Sequence, residues 1–279
     1  MHRTGFKYLC LILLLAVFAA AAAGCGSKGY VIGVANGTTY AEHAEQFEKV
    51  KEVKTLKDDN FTLQELSAGR IDAVITDKLV GLNAIKEGGY NDLDTAGDVL
   101  YDETIGIAIR KEDDTLRQAI NKALEEIIKD GAYAEISKKY FGRDILDGVD
   151  YKKTFPEDAE ASDGSLQRVK DAGKIQFAMS GGYPPFNFFT GDDKLTGFDV
   201  DIGKEIAKRL GVEYDPITTG DFGALIEGLR GERYDAILGS MAITPKRLEV
   251  VDFTDPYYYS GAQLIVKKDS KIKGPESLK

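Results

Sequence analysis

Short apolar runs alternate with helical patterns along the chain from Gly29 onward, which is typical of α/β domains. Strand-like runs are predicted at residues 30–35, 71–75, 105–109, 174–179, 212–216, 234–238 and 261–266. Helices are predicted at residues 40–50, 62–68, 78–86, 115–140 with a break near Gly131, 166–172, 200–210 and 222–229. This order predicts an α/β fold in which helices cover the faces of mostly parallel sheets.

Residues 144–164 interrupt the alternation. They contain seven acidic residues, two lysines and one proline, and they have little periodicity. Such a composition predicts a solvated linker. The chain is therefore expected to form two α/β parts, one on each side of this segment.

An internal repeat also indicates two related lobes. Residues 66–77 resemble residues 229–240, since each stretch contains a helix end, a turn, an Asp-Ala pair and an apolar strand. Chance similarity between two ordinary helix–strand units is the alternative. Open α/β sheets bind ligands at the carboxyl ends of their strands, so Asp77 and Ser240 are expected to face one cleft.

The first 25 residues have a different pattern. His2, Arg3 and Lys7 precede an apolar run over residues 8–23 that is short for a membrane span and ends in small residues, as a cleaved export signal does. Its end, Ala22-Ala23-Gly24-Cys25, resembles a bacterial lipobox, and a retained anchor with a chance cysteine is the alternative. We expect residues 1–24 to be a signal peptide, residues 25–27 to be the processed N-terminus, and Cys25 to carry lipid.

Composition excludes several functions. The chain has 36 basic and 46 acidic residues, a net charge of −10, which argues against a nucleic-acid partner. Two histidines and two cysteines argue against a zinc cluster, and Cys10 would leave with the signal. His43 lies in a polar helical stretch, which argues against a catalytic triad, and glycine-rich phosphate motifs are absent from the sequence. No cofactor or metal is expected.

Charged and hydroxyl side chains near predicted helix starts are the first candidates for ligand binding. Arg247 lies in a helix that Thr244 would cap, and a guanidinium beside free N–H groups suits a carboxylate, although a lone exposed arginine is common. Asp77 could bind an ammonium group or cap the following helix. Thr38 and Thr39 could cap the next helix or present N–H groups to an anion.

Aromatic residues on strand-end loops are the second group of candidates. Tyr183 is expected to contact a ligand, whereas Phe186 is expected to lie in the core because the intervening prolines separate the two rings. Phe222 suits either role. Residues 257–259, three consecutive tyrosines, are expected to be strand and hinge structure.

Several of these segments resemble the polar amino-acid-binding receptors of bacterial ABC importers. The resemblance lies in residues 180–188, 197–201, 235–247, 251–257, 33–39, 69–77, 105–112 and 139–141. It implies a two-lobed, periplasmic-binding-protein-like fold of type II with the ligand cleft between the lobes. In this family the half that contains Ser180 usually comes first, and a segment like residues 275–279 runs into one like residues 29–33. The chain therefore looks circularly permuted, with residues 144–164 as the permutation linker.

The resemblance also implies a role for each matching residue. Arg247 would bind the α-carboxylate with the N–H groups of Ala242 and Thr39, and Asp77 would hold the α-ammonium with Ser240. Family members specific for lysine or arginine carry an acid where Ser180 stands, and many members have a hydroxyl residue where Ala242 stands. The expected ligand-binding set is Thr38, Thr39, Asp77, Ser180, Tyr183, Phe222, Gly239, Ser240, Ala242 and Arg247.

Chain crossings are expected near residues 106–111 and 266–269. Residues 28–108 would then match the family's second lobe and residues 109–267 its first lobe, and the tail, residues 268–279, would return to the former. The expected function is a monomeric, non-catalytic, lipid-anchored receptor outside the cytoplasmic membrane, in the periplasm or at the cell surface. It would capture a polar L-amino acid and deliver it to an ABC permease with its ATPase. An enzyme like cyclohexadienyl or arogenate dehydratase, with Glu103 as its acid, and a sensory module are the alternatives.

Overall fold

The computed structural model describes residues 29–151, 153 and 161–279. Its strands are β1 Tyr30–Ala35, β2 Val50–Leu56, β3 Ala73–Asp77, β4 Leu93–Thr95, β5 Tyr101–Ile109, β6 Lys174–Met179, β7 Gly182–Tyr183, β8 Asn187–Phe189, β9 Leu195–Thr196, β10 Glu213–Thr218, β11 Ala236–Ala242, β12 Asp252–Phe253 and β13 Tyr258–Lys267. Its α-helices are α1 Tyr40–Ala44, α2 Asp59–Ser67, α3 Lys78–Lys86, α4 Asp114–Lys129, α5 Ala132–Phe141, α6 Ser165–Ala172, α7 Phe198–Leu210, α8 Leu225–Arg230 and α9 Pro245–Leu248. Short 3₁₀ helices lie at Phe222–Ala224 and Pro275–Leu278.

The main sheet consists of two halves with the same internal order. One half has the order β2-β1-β3-β13, and the other has β10-β6-β11-β5. In each half the first three strands are parallel and the fourth is antiparallel to the third. The halves meet where β5 and β13 pair with each other, in a register that matches Ile105 with Tyr258. The predicted two-lobed α/β fold is confirmed.

The Asp-Ala pairs of the internal repeat have the same structural role in both halves. Asp72 Oδ2 accepts a hydrogen bond from Val31 N at 2.7 Å, and Asp235 Oδ2 accepts one from Gln176 N at 2.8 Å. Each aspartate thereby ties the turn before its strand to the neighbouring parallel strand. The sequence similarity therefore reflects two related halves rather than chance.

Hydrophobic packing shows where the chain passes from one lobe to the other. Ile105 and Tyr258 pack in the core of one lobe, whereas Ala262 and Leu264 pack in the other core together with Leu278. We define the smaller lobe as residues 29–103 and 261–279, and the larger lobe as the described residues between 104 and 260. The crossings thus precede the boundaries expected at 108/109 and 267/268. Each of β5 and β13 runs through its crossing as one unbroken strand, so no loop or turn marks the passage between the lobes.

The acidic segment is partly packed, so the prediction of a solvated linker is wrong for its start. Ile145 is 4% exposed in the core of the larger lobe, and its N–H donates to Ser137 Oγ at 2.9 Å. At the other end, Asp163 accepts hydrogen bonds from the N–H and the hydroxyl of Thr115, both at 2.8 Å. Residues 152 and 154–160 lie outside the described residues.

The helix predicted over residues 40–50 is wrong in its second half. Helix α1 ends at Ala44, and β2 begins at Val50 on the edge of the sheet. Strand β2 carries Lys51, Glu52 and Lys54, and charged side chains are common on edge strands because they block pairing with another chain. Because these side chains are polar, the hydrophobic pattern of the sequence did not predict β2.

The predicted signal peptide and Cys25 lie outside the described residues. Within the part of the chain that the structure describes, no helix has both the length and the apolar character needed to cross a membrane.

Candidate functional site

A pocket lies between the two lobes, and the space between its lining atoms, including its open mouth, is about 510 Å³. The smaller lobe lines it with Ala35, Thr38, Thr39, Tyr40, Asp58, Asp59, Asp77 and Glu103. The larger lobe lines it with Ile105, Ser180, Gly182, Tyr183, Phe222, Ser240, Ala242 and Arg247. The strand ends Asp77 and Ser240 therefore face one cleft, as the internal repeat predicted.

Hydrogen bonds across the cleft hold the lobes together around this pocket. Asn36 Nδ2 donates to Asp221 Oδ1 at 3.1 Å, and Asn60 Nδ2 donates to the carbonyl of Gly182 at 3.2 Å. At the outer edge, Lys246 Nζ lies 2.8 Å from Glu42 Oε1. The lobes are thus in a closed arrangement.

Arg247 is the basic side chain of the pocket, and it is nine-tenths buried. Thr244 caps the short helix α9, because its side chain accepts from Arg247 N, and Pro245 occupies the first turn as predicted. The guanidinium donates to the carbonyl of Ala242 at 2.7 Å and to that of Gly37 in the other lobe at 3.0 Å. Burial lowers the pKa of this guanidinium, and the charge of Glu103 opposes the shift.

Asp77 ends strand β3 and also caps helix α3. Its Oδ1 accepts from Leu79 N at 2.6 Å and from Ser260 Oγ at 2.9 Å. Its Oδ2 is buried and has no hydrogen-bond partner among the described residues. Burial raises the pKa of Asp77 to about 7, and the charge of Glu103 adds to the shift. The capping role and a free carboxylate oxygen in the pocket therefore coexist.

Two further buried acids line the pocket from the smaller lobe. Asp59 is 3% exposed and accepts from the Thr76 hydroxyl, and burial raises its pKa to about 7. Glu103 accepts from Thr39 Oγ1 at 2.7 Å and from the Tyr40 hydroxyl at 3.1 Å. Burial raises the pKa of Glu103, and these two hydrogen bonds oppose that shift.

A buried hydrogen-bond network fixes the wall formed by Ser240. Asp199 accepts from Asn187 Nδ2 at 2.7 Å, from the Tyr257 hydroxyl at 2.8 Å and from Ser240 Oγ at 3.1 Å. Ser240 has a φ of 60°, a backbone conformation that non-glycine residues adopt where the surroundings impose it. Its N–H donates to the Tyr257 hydroxyl at 2.9 Å, so the tyrosine holds the backbone in this conformation.

Aromatic rings complete the larger lobe's side of the pocket. Tyr183 stacks on Phe186 with ring centroids 5.5 Å apart, and Phe186 stacks on Tyr258 at 4.8 Å. Phe222 lies 5.6 Å from the Arg247 guanidinium carbon and thereby supports that side chain. Phe186 is buried in the core, as predicted, and Tyr183 lines the pocket, where its contact with a ligand stays a prediction.

The sequence profile of the bacterial extracellular solute-binding proteins, family 3, matches residues 27–143 and 175–276. The chain belongs to this family.

Relatives of this solute-binding protein include amino-acid receptors. It is 37% identical to the L-cystine-binding protein TcyJ of Escherichia coli strain K12 over 121 residues, which are 43% of this chain and 45% of TcyJ. It is 37% identical to the arginine-binding extracellular protein ArtP of Bacillus subtilis strain 168 over 118 residues, which are 42% of this chain and 46% of ArtP. The chain therefore spans about half the length of the curated relatives it matches.

A solved structure of an ancestral cyclohexadienyl dehydratase is similar to part of the chain. The sequence identity is 34% and the TM-score is 0.32, and the match covers 33% of this chain and 38% of that chain.

Nine of the ten residues expected to bind ligand line the pocket of this solute-binding protein, and Gly239 does not. Gly239 lies behind the pocket wall, where an added Cβ would be 3.2 Å from Met179 Cα. The Thr39 hydroxyl does not cap α1, because it donates to Glu103. The Thr38 hydroxyl donates to the carbonyl of Ala35 at 2.7 Å, and the Ser240 hydroxyl donates to Asp199. These three hydroxyl groups therefore stabilise the walls of the pocket.

Sequence reasoning missed Asp58 and Asp59 as residues of this pocket. The run from Lys57 to Asn60 reads as a polar turn, and Asp58 caps helix α2 by accepting from Phe61 N at 3.1 Å. A polar residue that caps a helix is common and does not by itself indicate a binding site. The signal that could have found these acids was two consecutive carboxylates at the entry to a helix that leads to Asp77.

Proposed function

We propose that this solute-binding protein captures a polar L-amino acid in the interlobe pocket and delivers it to the permease and ATPase of an ABC importer. One observation carries the proposal. Arg247 and Asp77 lie on opposite lobes, both are buried, and both have unused hydrogen-bonding capacity at the same pocket. An L-amino acid carries the two complementary charges on adjacent groups.

The guanidinium of Arg247 is the receptor for the α-carboxylate in this proposal. Its bonds to Ala242 and Gly37 use two of the five N–H donors that a guanidinium has. The remaining donors can bind a carboxylate in the bidentate manner that favours arginine at such sites. Phe222 and the two carbonyl groups hold the guanidinium in one orientation.

The free oxygen of Asp77 is the receptor for the α-ammonium group. A buried carboxylate oxygen without a partner is destabilising, and an ammonium donor would remove that cost. Burial of a charged pair in a closed cleft strengthens the charge-assisted hydrogen bond. Tyr183 lies beside the ligand side chain in this arrangement, because it lines the same pocket from the larger lobe.

Delivery to an importer is supported by the family and by the relatives, which include a cystine-binding and an arginine-binding protein. A receptor that closes around its ligand presents both lobes to a membrane partner at once, and hinge closure is a common motion for ligand-binding proteins of this shape. The paired strands β5 and β13 are the hinge in this proposal.

Lipid attachment at Cys25 is part of the same proposal, and it rests on the lipobox-like sequence. The parent protein should incorporate an alkyne analogue of palmitate in bacterial cells and sediment with membranes. The Cys25→Ala protein should remain unlabelled, and equal labelling of both proteins would contradict lipidation at this residue.

A permuted chain order is proposed as well. Lys49 links the first described strand to the tail, because its carbonyl accepts from Tyr30 N at 2.7 Å and its N–H donates to the carbonyl of Leu278 at 2.9 Å. Ends that meet at one surface residue allow the halves to be connected in either order. This adjacency supports the permutation.

Glu103 supports a second candidate, a dehydratase. It is 7% exposed, lines the pocket, and has a pKa raised by burial, which favours the protonated form that an acid catalyst needs. Its two hydrogen bonds from Thr39 and Tyr40 instead stabilise the carboxylate. The receptor is therefore the favoured function.

Thermal unfolding in the presence of each of the twenty amino acids, prephenate or arogenate separates the two candidates. A receptor is expected to be stabilised by one or a few amino acids without consuming them, since binding to the folded state raises its stability. Turnover of prephenate or arogenate would establish the enzyme. Stabilisation by none of these compounds would contradict both candidates.

A further inference from the structure

Asp58 reaches across the cleft to Gly182 of the larger lobe. Both residues line the pocket together with Gly182, and a methyl group added at Gly182 would lie 3.0 Å from Asp58 Oδ2. Oδ1 of Asp58 caps helix α2, and no hydrogen-bond donor among the described residues reaches Oδ2. A carboxylate oxygen from the smaller lobe thus lies against Gly182 of the larger lobe, in the same pocket as Ser180.

The charges that line the pocket are unbalanced. Its described lining contains four carboxyl groups, of Asp58, Asp59, Asp77 and Glu103, and the single guanidinium of Arg247. A bound amino acid with a neutral side chain adds one negative and one positive charge and leaves this imbalance unchanged. A second positive charge on the ligand would reduce it.

Asp59 is more deeply buried than a helix start requires. An exposed acid at this position would interact equally well with the positive end of the helix dipole, whereas Asp59 is 3% exposed and has a pKa raised by burial to about 7. Thr76 donates to Oδ1, and no side-chain donor among the described residues reaches Oδ2. Burial of a carboxylate is costly without a charged partner, so this nine-tenths-buried group at the pocket points to a cationic ligand group.

We propose that Asp58 and Asp59 form the side-chain subsite of the pocket and select an L-amino acid whose side chain carries a positive charge. The inference rests on the proposed function, since Arg247 and Asp77 hold the α-groups of the same ligand. Asp58 supplies a carboxylate at the rim against Gly182, and Asp59 supplies one from the buried wall. The contact to the side chain forms when the cleft closes, so a cationic side chain also favours the closed state.

Calorimetric titration with L-arginine and L-citrulline tests the subsite. Citrulline has nearly the same shape as arginine and a neutral side chain, so the ratio of the two affinities measures the contribution of the charge. The parent protein should bind arginine at least tenfold more tightly than citrulline. L-Lysine and L-glutamine provide a second pair with the same expectation.

Asp58→Asn and Asp59→Asn identify the residues responsible. Asparagine caps helices as well as aspartate does, so Asp58→Asn keeps the helix start. Each variant should lower the arginine-to-citrulline ratio at least threefold, with citrulline affinity changing less than twofold, and the double variant should bring the ratio close to one. Glu52→Gln, which removes an exposed acid of the same lobe, is the control and should leave the ratio unchanged.

The outcomes separate this inference from the function on which it rests. Equal affinity of the parent for arginine and citrulline and for lysine and glutamine would overturn the cationic subsite while leaving the amino-acid receptor intact. A preference that survives the double variant would overturn the assignment to Asp58 and Asp59. Failure of all twenty amino acids to bind would overturn the proposed function, and this inference with it.

Discussion

The smaller and larger lobes have the same strand order, yet they bring different chemistry to the pocket. The smaller lobe contributes carboxyl groups, of which Asp77 has a free buried oxygen. The larger lobe contributes the Arg247 guanidinium and aromatic rings such as Tyr183. Where the repeat ends in Asp77 in one lobe, it ends in Ser240 in the other, and this single difference separates a charged strand end from a neutral one.

This difference shows how a ligand can stabilise the closed arrangement of two related lobes. Neither lobe has the charges to neutralise its own buried groups, and the direct contact between Arg247 and the smaller lobe is to a carbonyl oxygen of Gly37. A ligand with a carboxylate and an ammonium group would bridge the two lobes. Its binding energy then stabilises the closed state relative to the open one.

Replacing Arg247 by alanine should have the largest effect, because it removes the larger lobe's charge. We expect amino-acid affinity to fall on the order of 100-fold, since the ligand carboxylate would be buried without a partner. Calorimetry measures the loss. Lys246→Ala is the matched control: its ion pair with Glu42 is exposed, so affinity should change by about threefold or less. Similar losses in both variants would contradict the special role of Arg247.

Replacing Asp77 by asparagine should weaken binding by more than about tenfold, because the α-ammonium loses its charged acceptor. Asparagine retains the cap of helix α3, so the free energy of unfolding in urea should stay close to that of the parent. An unchanged affinity would exclude Asp77 from the site. A large loss of stability together with affinity would instead indicate a structural role.

Amino-acid affinity should fall about tenfold between pH 8 and pH 6, because the bound ammonium requires the Asp77 carboxylate while burial raises the pKa of that group to about 7 in the empty pocket. Below this pKa, binding must release a proton. The Asp77→Asn protein should have a flatter profile. A parent profile as flat as that of the variant would contradict this coupling.

The unliganded protein should show the opposite trend in stability. The pKa of Asp59 and Asp77 is raised on folding to about 7, so the folded state binds protons that the unfolded state releases between about pH 4 and pH 7. These two groups therefore make the unfolding free energy rise as the pH falls from 8 toward 5. Urea unfolding at several pH values measures their contribution as the difference between the parent and the Asp59→Asn and Asp77→Asn proteins.

Placing an acid at position 180 of the larger lobe should increase the preference for a ligand with a cationic side chain. Ser180→Asp adds a carboxylate opposite Asp58, so the preference for arginine over glutamine should rise about fivefold. Competition between the two ligands measures this ratio in both proteins. An unchanged ratio would show that position 180 does not face the ligand side chain.

Reversing the order of the two halves should have the smallest effect. Joining Lys279 to Gly29 and opening the chain after Ala159, which lies outside the described residues, should keep ligand affinity within about twofold. The tail near Leu278 is already bound to Lys49, so little rearrangement is required. A rearranged protein that fails to fold would contradict the permuted order.

Local patterns were sufficient to predict much of the fold. Strand β1 and helix α3 have the predicted bounds, because a buried strand and an amphipathic helix each leave a clear periodicity. Strand β2 was missed because its exposed lysines and glutamate resemble a helix surface. The lobe boundaries were misplaced because β5 and β13 each continue through their crossings as one strand, without a turn that would mark the boundary.

The pocket residues also include some that the sequence predicts and some that it does not. Asp77 and Arg247 were predictable, since a strand end and a capped helix start place them by local rules together with the family resemblance. Asp59 was not, because its burial and its hydrogen bond from Thr76 depend on how α2 packs against β3, which no local pattern shows. The Asp199 network behind Ser240 was not predictable either, since it joins Asp199 to three other segments of the larger lobe.

Titration with the tightest-binding amino acid and with its methyl ester, in the parent and in Arg247→Ala, tests most directly whether the ligand carboxylate bridges the two lobes through Arg247. The ester keeps the ammonium group and the side chain but has no carboxylate charge. The parent should bind the ester on the order of 100-fold more weakly than the free amino acid, whereas Arg247→Ala should bind the two with nearly equal affinity. An equal loss on esterification in both proteins would contradict the bridge.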